Sequence, residues 1–160
     1  GIGAEERGQA QAIAENREKM FGVRVPIVAV VIGEGGSGGA LGIAIADRVL
    51  MMEYSVYSVI SPESCASILW SDPKMAETAA NALQLSPGKA LELKVVDGVI
   101  EEPVGGAHRR PEDAIGRVRA TLVRELDALA EVPVEALLEK RFTKFRQMGN
   151  TTLVDHKAQP

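Results

Sequence analysis

An apolar run that ends in a cluster of glycines constrains this chain more than any other stretch. Six of the eight residues from Val25 to Ile32 are Val or Ile, a pattern that predicts a strand buried on both faces. Five glycines follow within residues 33–39, where we expect a single turn. Glycine is needed where φ must be positive or where another molecule must approach the backbone. Residues 40–46 are apolar on all sides, which predicts a short buried helix.

The start of that helix is the candidate binding site. The first N–H groups of any helix lack partners within the helix. Because glycines carry no side chains to cover them, such donors can point at a ligand oxygen that carries negative charge. The sequence therefore predicts an anion-stabilising site made of backbone groups rather than side chains.

Composition limits the classes of partner. The 160 residues are 46% hydrophobic, enough for one core, and the net charge of −4 argues against nucleic acid or an anionic membrane as the main partner. The one cysteine, Cys65, excludes an internal disulfide and a cysteine-based zinc cluster within this chain. No signal peptide or run of about 20 apolar residues is visible, so we expect a soluble protein of a reducing, cytosolic-type compartment. The start at Gly1 without Met suggests a fragment or a processed chain.

Local patterns predict the other elements before residue 105. Ser61 and Ser86 each precede a proline, the arrangement of a helix N-cap followed by proline at the first helical position. Alternating β-branched and aromatic residues predict strands, and wider apolar spacing predicts helices. The expected elements are a helix over 4–21 that Gly22 ends, strands over 47–53 and 54–60, helices over 61–70, 74–85 and 86–93, and a strand over 95–100.

Two apolar stripes at helical spacing predict a pair of helices beyond Gly105–Gly106, with a break at Pro133 and an end at Gly149. The stripes exceed what a small core needs to cover. We therefore expect them to pack on the body or on a partner chain, with the partner favoured. The stripes are Ile115, Val118, Leu122, Leu126 and Leu129, and then Val134, Leu137, Leu138, Phe142 and Phe145. The expected domains are a core over 1–110, a helical pair over 111–149 and a flexible tail over 150–160.

Three interpretations of the glycine segment compete with the anion site. Residues 33–38 match G-x-G-x-x-G with Glu53 downstream, which imitates a dinucleotide fingerprint, but residues 39–46 allow only a two-turn crossover helix. Residues 35–39 also match the G-x-S-x-G nucleophile elbow of serine hydrolases, with Ser37 as nucleophile. The base for Ser37 would have to be His108 or His156. The third interpretation is structural, with the glycines serving only tight helix–strand packing.

Most other charged residues are expected to have structural roles. The basic residues within 108–110 and 140–146 are expected on solvated helix faces and ends. Glu63 is expected as a helix-start acid, and Glu34 and Asp47 as either solvated or holding the glycine turn.

The aromatic residues and the cysteine are expected inside the protein. Tyr54, Tyr57 and Trp70 are assigned to the core. Cys65 is expected to act as a small buried hydrophobe.

Five motifs resemble one protein family. The likeness covers Gly1 to about Leu129 in register, and it is to the carboxyltransferase α subunit of the multi-subunit acetyl-CoA carboxylase of bacteria and plastids. The motifs are residues 1–9 (GIGAEERGQ), 32–41 (IGEGGSGGAL), 57–63 (YSVISPE), 65–70 (CASILW) and 105–109 (GGAHR).

The resemblance implies a fold and a reaction. The fold is α/β and crotonase-like, of the ClpP/crotonase type, with β-β-α units in a spiral and C-terminal helices. The reaction is transfer of a carboxyl group from carboxybiotin to acetyl-CoA, giving malonyl-CoA for fatty acid biosynthesis. By analogy, Gly38 and Gly39 supply backbone oxyanion donors on the biotin side, and Gly35, Gly36 and Ala40 shape the approach of the substrate.

The resemblance also implies partners. These are a β subunit that bears a zinc ribbon, a biotin carrier protein and acetyl-CoA, within a homo-oligomer and a hetero-tetramer. No metal is expected in this chain, and ATP is bound elsewhere in the complex. The expected location is the bacterial cytoplasm or the plastid stroma, without nucleic acid or membrane as partner.

Some alternatives stay open after the resemblance. His108 and Arg109 either neutralise a CoA phosphate or the carrier, or stabilise a turn. A serine hydrolase or peptidase of ClpP-like fold that uses Ser37 is one alternative function. A non-catalytic assembly subunit is the other.

Overall fold

The computed structural model describes residues 2–149, apart from the side chain of Ile43. Short strands alternate with helices up to residue 100, and two longer helices follow. None of the helices in this part of the chain is long and apolar enough to cross a membrane. The elements are α1 (Ile2–Glu5), α2 (Gln9–Phe21), β1 (Val28–Val31), β2 (Glu34–Gly36), α3 (Ser37–Ile43), β3 (Arg48–Met52), β4 (Val56–Ser58), α4 (Pro62–Trp70), a 3-10 turn (Pro73–Met75), α5 (Ala76–Leu83), α6 (Pro87–Glu92), β5 (Gly98–Ile100), α7 (Pro111–Ala130) and α8 (Val134–Gln147).

The strands form two parallel sheets. One sheet has the order β1-β3-β5, and β2 pairs with β4 in the other. Because β1 leads into β2 and α3, and β3 leads into β4 and α4, the chain contains two successive β-β-α units. The first strands of the two units pair in one sheet, with Val28 opposite Arg48. The second strands pair in the other, with Glu34 opposite Val56.

β3 is the buried centre of the larger sheet. It lies between β1 and β5, and its side chains alternate between two apolar clusters. Val49 and Met51 belong to one cluster, while Leu50 and Met52 belong to the other. The strand predicted at this place is confirmed, and it is the strand covered on both faces.

β1 is not the doubly buried strand that the Val/Ile run predicted. The strand is only Val28–Val31, and Val25 and Ile32 are 60% and 72% exposed. Ala29 is the buried residue of β1. The reason is that β1 is an edge strand, which within the described residues has β3 as a neighbour on one side only.

The glycine segment is not one turn, and the helix after it is not buried. Residues Glu34–Gly36 form β2, and α3 begins directly after them at Ser37 rather than at residue 40. Leu41 is exposed, whereas the buried residues Ala44–Ala46 lie after the end of α3. The apolar pattern did not separate these environments because alanine and isoleucine occur in both the helix and the buried link to β3.

The helix start signals were accurate. The Ser61 Oγ accepts a hydrogen bond from the Ser64 N–H at 3.2 Å, and the Ser86 Oγ accepts one from the Lys89 N–H at 3.4 Å. A proline follows each serine at the helix start. The single helix predicted over the first part of the chain is wrong, because Gly8, with φ 76°, separates α1 from α2.

The two terminal helices are present as α7 and α8. Leu129 is buried, but Ile115 on the same stripe is 66% exposed. The basic run at 140–146 is not wholly solvated as predicted, because Arg141 is buried and pairs with Asp47 at 2.8 Å. A buried guanidinium requires such a partner. The tail predicted over 150–160 lies outside the described residues.

The aromatic residues are less buried than predicted. Tyr54 is 64% exposed in the link between β3 and β4, and Trp70 is 41% exposed at the last residue of α4. Tyr57 is half-buried. Cys65 is buried as predicted, in a small cluster with Ala66 between α4 and α5.

We predict that Met51→Ala lowers the free energy of unfolding by about 2–5 kcal/mol, because Met51 is fully buried and its loss leaves a cavity. Ile68→Ala, on the exposed side of α4, serves as the control and changes the free energy of unfolding by about 0.5 kcal/mol or less. Urea unfolding of the two variants measures both values. Equal effects would contradict the central position of β3.

Candidate functional site

The candidate site lies where β2 ends and α3 begins. Gly35 and Gly36 pair with Tyr57 and Ser58 of β4 in parallel register, so the strand leads straight into the first turn of α3. Gly36 precedes the helix in an extended conformation, with φ −131° and ψ 154°, and no side chain caps α3. The first N–H groups of α3 are therefore left for an outside acceptor.

The backbone of this segment differs from expectation. None of the glycines between residues 33 and 39 has a positive φ, whereas Ser37, with φ 57°, lies in the left-handed region. A non-glycine residue in that region is strained. The glycines at this site are therefore not required by backbone conformation.

The space around the glycines separates their roles. A Cβ on Gly35 would lie 3.2 Å from Cδ2 of Tyr57 and 3.3 Å from Cγ1 of Val31, so close packing favours glycine there. A Cβ on Gly38 would lie no closer than 3.9 Å to the Ile13 side chain, and one on Gly39 would meet nothing within 4 Å. The packing interpretation therefore accounts for Gly35 but not for Gly38 or Gly39. Since glycine in a helix costs about 1 kcal/mol relative to alanine, these two positions leave the backbone uncovered at a cost in stability.

The predicted site residues lie together in one short segment. Gly36 and Gly39 are exposed, and Gly35, Gly38 and Ala40 are half-buried. The Cβ of Ala40 lies 3.7 Å from the Cβ position of Gly35, so it forms the wall between α3 and β2.

A cavity of about 500 Å³ lies beside the start of α3. Ser37 and Leu41 line it from α3, Tyr57 lines it from β4, and Phe21 and Phe145 line it from α2 and α8. The wall is mainly apolar, and its polar groups are the Arg17 guanidinium, the hydroxyls of Ser37 and Ser58, and the Tyr57 phenol. This volume suits a small ligand or part of a larger one.

Tyr57 is a titratable residue that the site perturbs. Burial raises the pKa of its phenol above the usual value of about 10, because the phenolate loses solvation. The phenol is therefore neutral at physiological pH and able to donate a hydrogen bond. Tyr57 also lines a second cavity of about 240 Å³ with Gly33 and Ala40.

The hydrolase interpretation lacks a base in the described residues. Ser37 lines the cavity beside α3. His108, the only histidine within residues 2–149, is exposed and lines a different cavity with Glu102. His156 lies outside the described residues. Nothing described gives Ser37 the imidazole partner that a hydrolase needs.

His108 and Arg109 lie in a turn. Gly105 and Gly106 adopt positive φ values of 91° and 89°. The Arg109 N–H donates to the Gly106 carbonyl at 3.2 Å. Both side chains are exposed, and their contact with a CoA phosphate or a carrier stays a prediction.

The dinucleotide interpretation is not supported. α3 has only seven residues, too short for the crossover helix of a dinucleotide-binding unit. The Glu53 carboxylate, the candidate ribose ligand, accepts the Glu102 N–H at 2.9 Å.

Residues 2–149 also contain no group of three side chains placed to hold a metal ion.

Solved structures show the class of fold. The chain is similar to transcarboxylase 12S with hydrolysed methylmalonyl-coenzyme A bound, with a TM-score of 0.64 and 21% identity over 81% of this chain and 23% of that chain. It is also similar to a Pseudomonas malonate decarboxylase hetero-tetramer in complex with coenzyme A, with a TM-score of 0.66 and 18% identity over 86% of this chain and 54% of that chain. The fold is therefore crotonase-like, as the sequence resemblance implied.

Sequence comparison shows the family. The acetyl co-enzyme A carboxylase carboxyltransferase-like family matches residues 1–149. Two relatives, each named acetyl-coenzyme A carboxylase carboxyl transferase subunit alpha, come from Fusobacterium nucleatum subsp. nucleatum and Xanthomonas campestris pv. campestris. They are 53% and 56% identical to this chain over 149 residues, covering 93% of this chain and 48% and 47% of the relatives. The chain belongs to this family, and it spans about half the length of the curated relatives it matches.

We predict that Tyr57→Phe changes how stability depends on pH. Because the pKa of Tyr57 is higher in the folded chain than in the unfolded chain, its contribution to the free energy of unfolding is fully present below about pH 10. That contribution is lost as the pH rises through the pKa of the folded state. The free energy of unfolding should therefore fall less steeply in Tyr57→Phe than in the unaltered chain between about pH 9 and about pH 11. Tyr54→Phe, which removes the hydroxyl of a 64% exposed tyrosine, is the matched control for the substitution itself. Identical slopes in all three proteins would contradict the burial of the phenol.

Proposed function

We propose that this chain provides one oxyanion hole of an acetyl-CoA carboxylase carboxyltransferase, formed by the backbone N–H groups of Gly38 and Gly39. The observation that carries the proposal is the uncovered backbone at these glycines. Neither their conformation nor their packing in the described residues requires glycine. Membership of the carboxyltransferase family supports the reaction.

The site acts by donating hydrogen bonds to an oxygen that becomes negative. Carboxybiotin, brought as substrate on its carrier protein, supplies the carboxyl group, and its ureido oxygen gains charge as the C–N bond breaks. The Gly38 and Gly39 N–H groups donate to that oxygen, and the aligned peptide dipoles at the start of α3 add positive potential. Losing one pre-aimed donor of this kind costs about 10²–10³ in rate.

Neighbouring residues control access to these donors. Gly35 allows the Tyr57 ring to pack closely against β2, and the exposed Gly36 adds no side chain in front of the helix start. Ala40 closes the wall behind them with only a methyl group. The cavity beside Ser37, about 500 Å³ in volume, receives the ring system of the substrate.

A second subunit completes the reaction. The acetyl thioester oxygen also becomes negative when its enolate forms, so a second set of donors is needed. We assign it to a β subunit that bears a zinc ribbon, with the biotin carrier protein moving between the partners. The product is malonyl-CoA for fatty acid biosynthesis, formed in the bacterial cytoplasm or the plastid stroma. The chain by itself is then expected to give no carboxyl transfer.

The exposed stripe of α7 is the proposed contact face for that subunit. A groove of about 540 Å³ runs along it, with almost wholly apolar walls that include Ile32, Ile115 and Leu126. In this proposal residues 1–110 form the catalytic core, and the helical pair over 111–149 serves assembly. The malonate decarboxylase to which this chain is similar is itself a hetero-tetramer.

We predict that Gly39→Val lowers carboxyl transfer by at least about 10²-fold in the assembled enzyme, because the added side chain fills the space that the ureido oxygen must occupy. Stability should be retained, since a Cβ at this position meets nothing within 4 Å and valine is a better helix former than glycine. The measurement is malonyl-CoA formation together with thermal unfolding.

Two matched variants sharpen this test. Gly88→Val alters a glycine that also lies in the first turn of a helix with open space around it, and it should keep activity. Ser37→Ala should cost little. Full activity in Gly39→Val would favour the non-catalytic assembly role, and a folded but inactive Ser37→Ala would restore the hydrolase interpretation.

We predict that Leu126→Asp weakens association with the β subunit, because it places a charge in the apolar groove of α7. Ile68→Asp on α4 is the control for an equally polar change at an exposed isoleucine. Analytical ultracentrifugation of the mixed subunits measures association, and circular dichroism should show unchanged helix content. Undiminished assembly of Leu126→Asp would contradict the proposed face.

A further inference from the structure

We propose that Arg141 is a positioning residue for the Gly38 and Gly39 donors, and that Lys144 assists it. This inference rests on the proposed function for its meaning in catalysis. Its structural content concerns only the folded chain. We call Arg141 and Lys144, one turn apart on α8, the α8 clamp.

The Arg141 guanidinium is completely enclosed, with a side-chain exposure of 0%. Its Nε donates to Asp47 Oδ1 at 2.9 Å and its Nη2 to Asp47 Oδ2 at 2.8 Å, which makes a bidentate ion pair. The remaining hydrogen bonds go to backbone carbonyls. Nη1 donates to Met20, Phe21 and Val23 at 3.0, 3.3 and 2.7 Å, and Nη2 donates to Val25 at 3.0 Å.

The groups that accept hydrogen bonds from Arg141 lie at both ends of the segment that contains Gly38 and Gly39. Val25 is just before β1, and Asp47 is just after α3. Asp47 ties the two ends directly as well, because its Oδ2 accepts the Ile27 N–H at 2.7 Å and its own N–H donates to the Ile27 carbonyl at 2.9 Å. One guanidinium therefore closes the base of a loop that contains β1, β2 and α3.

A second route from Arg141 to α3 runs through α2. The Met20 and Phe21 carbonyls are the last acceptors of α2, where a cation is favoured by the helix dipole. Along the same helix, the Ile13 side chain lies 3.9 Å from the Cβ position of Gly38 and 3.6 Å from that of Gly42. The placement of α2 therefore sets the support beneath the first turn of α3.

Lys144 holds the outgoing end of the same loop from a less buried place. Its Nζ donates to the carbonyls of Ala46 and Asp47 at 3.2 and 3.4 Å and pairs with Asp97 at 2.5 Å. Asp97 in turn accepts the Val49 N–H of β3 at 2.7 Å. The Lys144 side chain is 18% exposed, so its replacement disturbs the core less than that of Arg141.

Lysine cannot reproduce the hydrogen bonds that the Arg141 guanidinium makes. An ammonium group presents three donors from one atom, whereas the observed contacts use three nitrogens of a planar guanidinium that face a carboxylate and four carbonyls. Arg141→Lys therefore keeps the charge and loses the geometry. This makes it the sharpest variant for a positioning role.

The test measures the N–H vectors of Gly38 and Gly39 by ¹⁵N relaxation and residual dipolar couplings in the 160-residue chain. In Arg141→Lys we expect the order parameters of Gly38 and Gly39 to fall from about 0.85 to below about 0.6, and their residual dipolar couplings to change. The order parameters and couplings of Val49 and Leu50 in β3 should stay the same. Arg124→Lys, at an exposed arginine that pairs with Glu125, is the matched control and should change neither. A merely structural Arg141 would lower the unfolding temperature without moving these vectors in the folded state, and that result would overturn the proposal.

Lys144→Met decides the matter if Arg141→Lys does not fold. It should reorient or loosen the same two vectors, and unchanged vectors would overturn the proposal. Titration of the unaltered chain with 2-imidazolidinone, a cyclic urea, tests the proposed function separately. Absence of any shift at Gly38 and Gly39 would count against the oxyanion hole, whereas the relaxation result stands or falls without a ligand.

In the assembled enzyme the clamp should act on turnover. We expect Arg141→Lys to lower kcat about tenfold or more, with the KM for acetyl-CoA nearly unchanged, because the thioester is assigned to the partner subunit. An unchanged kcat alongside displaced N–H vectors would overturn the catalytic meaning of the clamp.

Discussion

The buried ion pair between Arg141 and Asp47 is the interaction on which the arrangement of this chain depends. A guanidinium taken out of water is stable only when its donors are matched. Here a carboxylate and four carbonyls match them. Removing one partner would leave an uncompensated buried charge, at a cost of about 3–5 kcal/mol. Through this pair, α8 is joined to α2, to the approach to β1 and to the chain that leaves α3.

The Arg141–Asp47 ion pair compensates for the low intrinsic stability of α3, which lies in the segment that the pair closes. α3 has seven residues, of which Gly38, Gly39 and Gly42 are glycine, so neither length nor propensity favours the helix by itself. A site made of backbone donors needs bare residues, and bare residues stabilise their own helix poorly. The surrounding contacts supply the order that the local sequence cannot. Fixed geometry and uncovered backbone are thus provided by different parts of the chain.

Local signals in the sequence were sufficient for much of the fold. The serine and proline pairs marked the starts of α4 and α6, and the apolar run of β3 was recognised. The family motifs indicated the crotonase-like fold, which no periodicity alone could have specified. The apolar run from Val25 to Ile32 was misjudged because burial of a strand depends on its neighbours, and within residues 2–149 β1 has a neighbouring strand on one side only.

The long-range features of the site could not be predicted from the sequence. Nothing in the run Lys140 to Arg146 distinguishes the one buried arginine from the other basic residues, because its acceptor Asp47 is 94 residues away. The roles of the glycines also needed coordinates. Gly35 and Gly39 look alike in sequence, yet one is packed under Tyr57 and the other faces open space. The residue of this segment with a positive φ is Ser37, and the number of glycines around it gives no indication of this.

The separation between Arg141 and Asp47 also bears on how the chain acquires its structure. Chains emerge from the ribosome from the N-terminal end, and contacts between distant residues form only after the loop between them can close. β1, β3 and the glycine segment are complete long before α8 has been made. Until then Asp47 has no guanidinium and the carbonyls around Val23 face water. A nascent chain therefore carries the whole glycine motif before the Arg141 contacts at both ends of that segment can form, and those contacts are completed only after α8 has been made.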